Sequence, residues 1–219
     1  MWYVLLLPLS SCLLISSISS TIIENIQDEC QTGLAILTFY YFDFLHADKQ
    51  GARSFLSSLL MQLSDQSDKF LQILSVLHSS HRHGSRQPSE DKLWRCLKNI
   101  LELPGQGELY IVVDALDECQ NLTGSPTTRR QVLRIIKELV DLKASHLHLC
   151  VTSRFEIDIR EVLEPLGPDT VPLHDQPGQR EDIARYVKEI VESDTKMRLW
   201  PEEKRKSVIN TLSEKGCSM

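Results

Sequence analysis

Three short stretches of this chain contain almost no polar residue: Leu34 to Phe42 (LAILTFYYF), Leu109 to Val113 (LYIVV) and Leu147 to Thr152 (LHLCVT). A strand with one face in water alternates apolar and polar side chains, so a run that is apolar throughout needs cover on both faces. Crossover helices supply that cover in parallel sheets. Segments with helical spacing lie between the runs. Arg53 to Leu63 carries Phe55, Leu56, Leu59, Leu60 and Leu63 as one stripe, and Asp68 to Leu77 reads as a second helix. A third opens near Ser89, a plausible cap, and carries Leu93, Trp94, Leu97, Ile100 and Leu101; a fourth, Thr128 to Leu142, carries Val132, Ile135, Ile136, Leu139 and Val140. Thr21 to Glu29 has helical spacing too, Val171 to Leu173 reads as a short strand, and Arg180 to Glu192 and Pro201 to Lys215 close the chain as helices. Strands alternating with helices predict an α/β fold with a parallel sheet.

Composition narrows the function. With 219 residues, 42% hydrophobic and 25% charged, the chain has the make-up of a globular domain long enough to bury a core. The net charge of −6 and the lack of a Lys/Arg face disfavour binding nucleic acid over a broad basic surface. Six scattered cysteines, without a CxxC pair, fit neither a disulfide framework nor a zinc site, and a reducing compartment is the simpler reading. His78, His81 and His83 fall in a polar stretch without acidic or thiol partners and read as linker rather than as metal ligands. Asn121-Leu122-Thr123 is formally a glycosylation acceptor in a loop. Met1 to Ser20 is apolar and uncharged, but Pro8 and the serines interrupt it and no basic residue precedes it. Three readings are open for it: a signal peptide, a buried strand followed by a helix start, or non-native sequence at the front of a truncated gene.

The informative stretch is LYIVVDALDEC, where an apolar strand runs into Asp114, with Asp117 and Glu118 just behind. In open α/β sheets ligands bind at the carboxyl ends of the strands. A carboxylate there can hold Mg²⁺ through water, and a second can orient the water that attacks a γ-phosphate. Acids that merely solvate a loop are the alternative. Three carboxylates in five positions would then repel one another without a cation, which favours the metal–phosphate reading. The next strand ends in Val151-Thr152-Ser153-Arg154, where the arginine either neutralises a phosphate or pairs on the surface with Glu156 or Asp158.

Asp114-Ala115-Leu116-Asp117-Glu118-Cys119 followed by Cys150-Val151-Thr152-Ser153-Arg154 closely resembles the NACHT domains of fungal NLR-like STAND P-loop NTPases, the group that includes the nephrocystin-type N-terminal domain. Ser19 to Glu24 looks like the helix after the P-loop, Thr38 to Phe42 like the second strand, and Asp182 to Val187 like a helix of the small helical domain beyond the sheet. The resemblance implies an incomplete P-loop NTPase-like core over residues 16–175 and the start of a helical domain over 176–219, after an apolar segment of residues 1–15. It implies Asp114 as the magnesium-directed acid, Glu118 as the water-positioning acid with Asp117 supporting, Arg154 as a sensor arginine, and Ser16 at the serine of a GKS ending.

The resemblance stops at the P-loop. Ile15 and Leu14 replace its lysine and glycine, and the first glycine of the chain is Gly33. A cradle of backbone N–H groups and a lysine for the β/γ-phosphates are therefore lacking. Mg²⁺ with ATP or GTP is implied as cofactor if a P-loop is supplied, but the chain is expected to be weak or inactive as an NTPase. The implied role is a nucleotide-dependent oligomerisation switch, with homo- or hetero-oligomers of NACHT relatives as partners, no nucleic acid, no membrane and a cytoplasmic location, or secretion if residues 1–20 are a signal. The alternative is a non-catalytic protein-interaction module of NACHT-like fold.

Overall fold

The structure is a computed structural model that describes residues 2–7, 12–46, 49–80, 87–119, 128–154, 156–167, 169–170, 179–194 and 196–218. Five strands form one parallel sheet: β1 (Trp2–Leu7), β2 (Ala35–Tyr41), β3 (Glu108–Asp114), β4 (Leu147–Arg154) and β5 (Asp169–Thr170), in the order β2-β3-β4-β1-β5. Eight α-helices are described: α1 (Cys12–Gln31), α2 (Ala52–Ser64), α3 (Asp68–Ser80), α4 (Glu90–Leu101), α5 (Thr128–Asp141), α6 (Ile157–Leu163), α7 (Gln179–Ser193) and α8 (Glu202–Ser218). This is the α/β architecture expected of an incomplete P-loop NTPase-like core.

The strand order dictates which helix lies on which face. Parallel crossovers are right-handed, so the direction of travel across the sheet fixes the side of the connecting helix. The chain steps one way from β1 to β2, then back the other way through β3, β4 and β5. Helix α1 therefore covers one face, and α2 to α6 cover the other. The two apolar clusters follow this division. The larger gathers Phe55, Leu59, Leu97, Ile100, Ile136 and Leu139 from the helices against Leu109, Ile111, Val113, Leu149 and Val151 of the strands. The smaller holds Ile23 of α1 against Leu37 and Val112. Each fully buried Leu, Ile or Phe contributes about 1.5–3 kcal/mol, and among the described side chains more of them lie on the α2–α6 face.

Local rules explain the elements. In α4 the buried residues Leu93, Cys96, Leu97, Ile100 and Leu101 recur at intervals of three and four, one stripe of a 3.6-residue helix. Tyr40, Phe42 and Phe55 pack edge-on or tilted, with ring centroids 4.9, 5.4 and 6.0 Å apart. Gly33 ends α1 in the left-handed region at φ +75°, its N–H bonded to Cys30 O at 3.0 Å. A Cβ at Gly107 would collide with Leu34 O, so glycine is what lets the chain enter β3 beside β2.

Several boundaries differ from the sequence reading. Helix α1 begins at Cys12, nine residues before the expected Thr21, because the serines between are compatible with helix once an apolar face is supplied. In the N-terminal segment β1 pairs with β4 from Trp2↔Leu149 to Leu7↔Arg154. Helix α3 continues through His78 to Ser80; His81 and His83 lie outside the described residues, as do Asn121 and the strand expected at Val171 to Leu173. Ser89 stands at the N-cap of α4, but its hydroxyl makes no capping bond and its carbonyl serves Lys92 and Leu93 instead. Helices α7 and α8 match the expected pair and pack on each other, with Val191 buried. Cys30, Cys96, Cys119 and Cys150 are free thiols. Among the described residues, no helix is long and apolar enough to cross a membrane.

Candidate functional site

Strand parity brings the site together. On β3, Leu109, Ile111 and Val113 face α2–α6, which leaves Tyr110, Val112 and Asp114 facing α1. On β4, Leu147, Leu149 and Val151 face α2–α6, so His148, Cys150 and Thr152 face α1, and Tyr110 stacks on His148 at 4.6 Å. The strands pair Val112 with Cys150 and Val113 with Val151, so Asp114 and Thr152 come next, side by side at the carboxyl rim. Helix α1 crosses this face between β1 and β2 and delivers Ser19 to the same point.

Asp114 is 2% exposed and its Oδ1 accepts two hydroxyl hydrogen bonds, one from Ser19 and one of 2.5 Å from Thr152. The Thr152 oxygen in turn accepts the Ala115 N–H at 3.1 Å. Ala115 itself is left-handed (φ 53°, ψ 47°), which turns the chain off the strand and into the short 3₁₀ turn Leu116–Glu118. After that turn the other two acids diverge from Asp114. Asp117 Oδ1 accepts the Arg154 backbone N–H at 2.8 Å, and Oδ2 lies 3.4 Å from Arg154 Nε. Glu118 points to the segment after β2, where its Oε2 receives the Phe44 N–H at 3.4 Å. Burial raises the Glu118 pKa; the Phe44 N–H opposes the rise, Asp117 adds to it and Arg154 opposes it. Tyr41, beside Asp114 and bonded to Ser20, also has a raised pKa, chiefly through burial.

A second arginine fixes the turn from behind. Arg129, 8% exposed in the first turn of α5, donates from Nε to Cys119 O (2.8 Å) and from one terminal nitrogen to Asp117 O (2.6 Å). Its other terminal nitrogen reaches both oxygens of Asp158 at 3.2 and 3.3 Å. Five donors in a rigid fork suit this bridging of two carbonyls and a carboxylate. The Cys119 thiol lies 3.3 Å from Gln50 O and ties the turn to the segment before α2.

The structure thus brings Asp114, Asp117, Glu118 and Arg154 to one rim. Ser16 lies in α1 one turn before Ser19, and its side chain is outside the described residues. Arg154 pairs with Asp117, and Asp158 pairs with Arg129. Ser19 and Arg129 escaped the sequence reading. Arg129 left a trace, because it precedes Val132, Leu133 and Ile136 at helical intervals and so occupies a place on the apolar stripe. Ser19 left none within its serine-rich run.

The oxygen donors Asp114, Ser19 and Thr152 suit a hard cation such as Mg²⁺, which takes one or two protein ligands and keeps its water. Among the described residues, no group of three or more His, Cys, Asp or Glu is arranged to hold a metal unaided. A triphosphate does not fit as well. The residues joining β1 to α1 are Pro8-Leu9-Ser10-Ser11, without a glycine or a lysine, and Arg154 is engaged by Asp117.

Comparison with known proteins gives the same frame. The family whose model matches, over residues 16–154, is described as Nephrocystin 3, N-terminal. Among solved structures, a chain of Drosophila ORC bound to DNA superposes with a TM-score of 0.51 at 16% identity, covering 97% of this chain and 44% of that one. A chain of Drosophila ORC bound to AT-rich DNA and Cdc6 gives a TM-score of 0.43 at 12% identity, covering 96% and 68%. The first likeness is one of fold alone, and this chain spans less than half of that partner's length. No curated protein sequence matches the chain. The matched residues run from α1 to the end of β4 and include every acid and hydroxyl at the rim, and on that match the chain belongs to the Nephrocystin 3, N-terminal family, with an incomplete P-loop NTPase-like α/β fold.

Proposed function

We propose that this chain is a NACHT-type switch domain, of the kind found in fungal NLR-like STAND proteins, whose own turnover of ATP or GTP is weak or absent. One observation carries the reading: Asp114, at the end of a central strand, holds hydroxyls from α1 and β4 at the rim where α/β sheets bind ligands. In this reading Asp114 holds Mg²⁺ through water, Ser19 and Thr152 orient its carboxylate, and Glu118 holds the water that faces the phosphate. The metal would supply a positive centre for phosphate oxygens. No hydrolytic step is assigned, because the chain offers neither glycines nor lysine to grip a triphosphate.

A specific observation also favours the second reading, a non-catalytic module that associates with NACHT relatives. Asp114 and Asp117 already have internal partners, so both carboxylates are held by the protein itself. Calorimetric titration of the full chain with Mg–ATP and Mg–GTP separates the two. Micromolar binding that Asp114→Ala abolishes supports the nucleotide switch. No heat up to millimolar nucleotide refutes it and leaves the interaction module, for which a concentration-dependent mass by light scattering is the expected behaviour.

A further inference from the structure

The Asp117–Arg154 pair does more than join two loops. Arg154 is the last residue of β4, two positions beyond Thr152 on the same face, so its guanidinium belongs to the rim that carries Asp114. Asp117 meets it with both oxygens, one on the main-chain N–H at 2.8 Å and one 3.4 Å from Nε. A phosphate presents the same two-oxygen face to an arginine and a backbone N–H. The carboxylate side is shielded, with the Asp117 side chain 7% exposed and that of Arg154 29% exposed, so salt and water weaken the pair little. Asp117 is also fixed in place, because Arg129 binds its carbonyl at 2.6 Å and that of Cys119 at 2.8 Å. The arginine side chain, more exposed and at a strand end, is the part able to move.

We propose that Asp117 is a latch that occupies Arg154 in place of a phosphate, so that a polyphosphate binds at this rim only by drawing the guanidinium off the carboxylate. The proposal rests on reading the rim as a nucleotide-type site, and it reassigns Asp117 from a supporting acid to a positioning residue that holds Arg154 closed. Replacing Asp117 by asparagine removes an anion beside the binding surface as well as freeing a cation, so both effects act in one direction.

The probe is inorganic tripolyphosphate without magnesium, titrated calorimetrically against the full chain, Asp117→Asn and Asp117→Asn/Arg154→Gln. Asparagine keeps an acceptor for the Arg154 N–H and removes the charge. The expected gain in affinity for Asp117→Asn is about tenfold or more, and the double variant returns to the wild-type level or below. A folded Asp117→Asn with unchanged or weaker binding overturns the proposal, as does a gain that survives loss of Arg154. If Asp117→Asn does not fold, the wild-type chain decides. Its Arg154 Nε–H resonance, assigned by its loss in Arg154→Gln, shifts on titration if the latch opens to polyphosphate and stays in place if it does not. These readouts are independent of the Mg–ATP titration with Asp114→Ala, so either proposal can fail while the other stands.

Discussion

The outer edge of β2 is closed by two side chains, and removing them gives the sharpest test of the fold. Gln62 of α2 accepts the Phe39 N–H (2.9 Å) and donates to Phe39 O (2.8 Å). Gln66, four residues on in the turn that follows α2, accepts the Leu37 N–H (3.1 Å) and donates to Leu37 O (2.6 Å). The second amide hydrogens go to Ser58 Oγ at 3.0 Å and to Gln62 O at 2.8 Å. The spacing works because two residues of strand rise about 6.6 Å and four residues of helix about 6 Å. Leu37 and Phe39 are the residues whose backbone groups face away from β3, so each glutamine acts as a one-residue strand.

The magnitude follows from counting those bonds. Each intramolecular hydrogen bond contributes about 0.5–1.5 kcal/mol net, and each glutamine makes two to the strand. Single Gln62→Ala and Gln66→Ala changes are expected to cost roughly 1–2 kcal/mol, and the double variant roughly 2–4 kcal/mol, because truncation lets water reach the edge and recover part of the loss. Urea unfolding followed by circular dichroism reads these values. Gln62→Glu is expected to be at least as damaging as alanine, since a carboxylate can accept from the Phe39 N–H but cannot donate to its carbonyl. The opened edge also becomes a template for pairing between copies, so light scattering of the double variant should rise with concentration. A double variant within about 0.5 kcal/mol of wild type that stays monodisperse would refute the reasoning.

Two further outcomes follow from buried groups. Thr38 is 0% exposed, and its Oγ1 has no hydrogen-bond partner among the described residues, so Thr38→Val keeps the shape and removes a stranded hydroxyl. It is expected to raise stability by about 1 kcal/mol in urea unfolding, and a loss of similar size would show that the hydroxyl is satisfied. Burial pushes the thiol of Cys119 up to about 12, against a small opposing effect of Arg129, and those of Cys96 and Cys150 to about 11. Folded thiols then hold protons that unfolded ones release, so their contribution is fully present below pH 9 and is lost as pH rises towards 11–12. Accordingly, iodoacetamide at pH 8 should label these three cysteines far more slowly in the native chain than in urea, with equal rates contradicting their burial.

Much of the fold was legible because the apolar runs are long and uninterrupted. LYIVV has no solvent face, and the helix stripes match the buried positions of α2, α4 and α5. What was not legible depends on contacts between distant elements. Helix α1 began early because residues 12–20 form a helix whose tertiary neighbours the local sequence does not announce. The glutamine clamp uses polar residues at an ordinary helix spacing, and nothing local distinguishes it from a solvated face.

At the candidate site the sequence puts the three acids just after an apolar strand, and the structure shows how they coexist there. Three carboxylates in five positions seemed to require a cation, on the assumption that all three face one another. The left-handed Ala115 breaks that assumption. It leaves Asp114 on the α1 face with two hydroxyls, turns Asp117 onto Arg154, and sends Glu118 to the Phe44 N–H at the end of β2. Each acid has partners of its own although Asp117 still pushes the Glu118 pKa up, so crowding in sequence is not by itself evidence of a bound metal. What does speak for a ligand is the choice of partners. Hydroxyls and an arginine can release a carboxylate when an ion or a phosphate competes, whereas apolar packing could not. A rim held by such partners could exchange a carboxylate for a competing anion or cation, as the proposed switch requires.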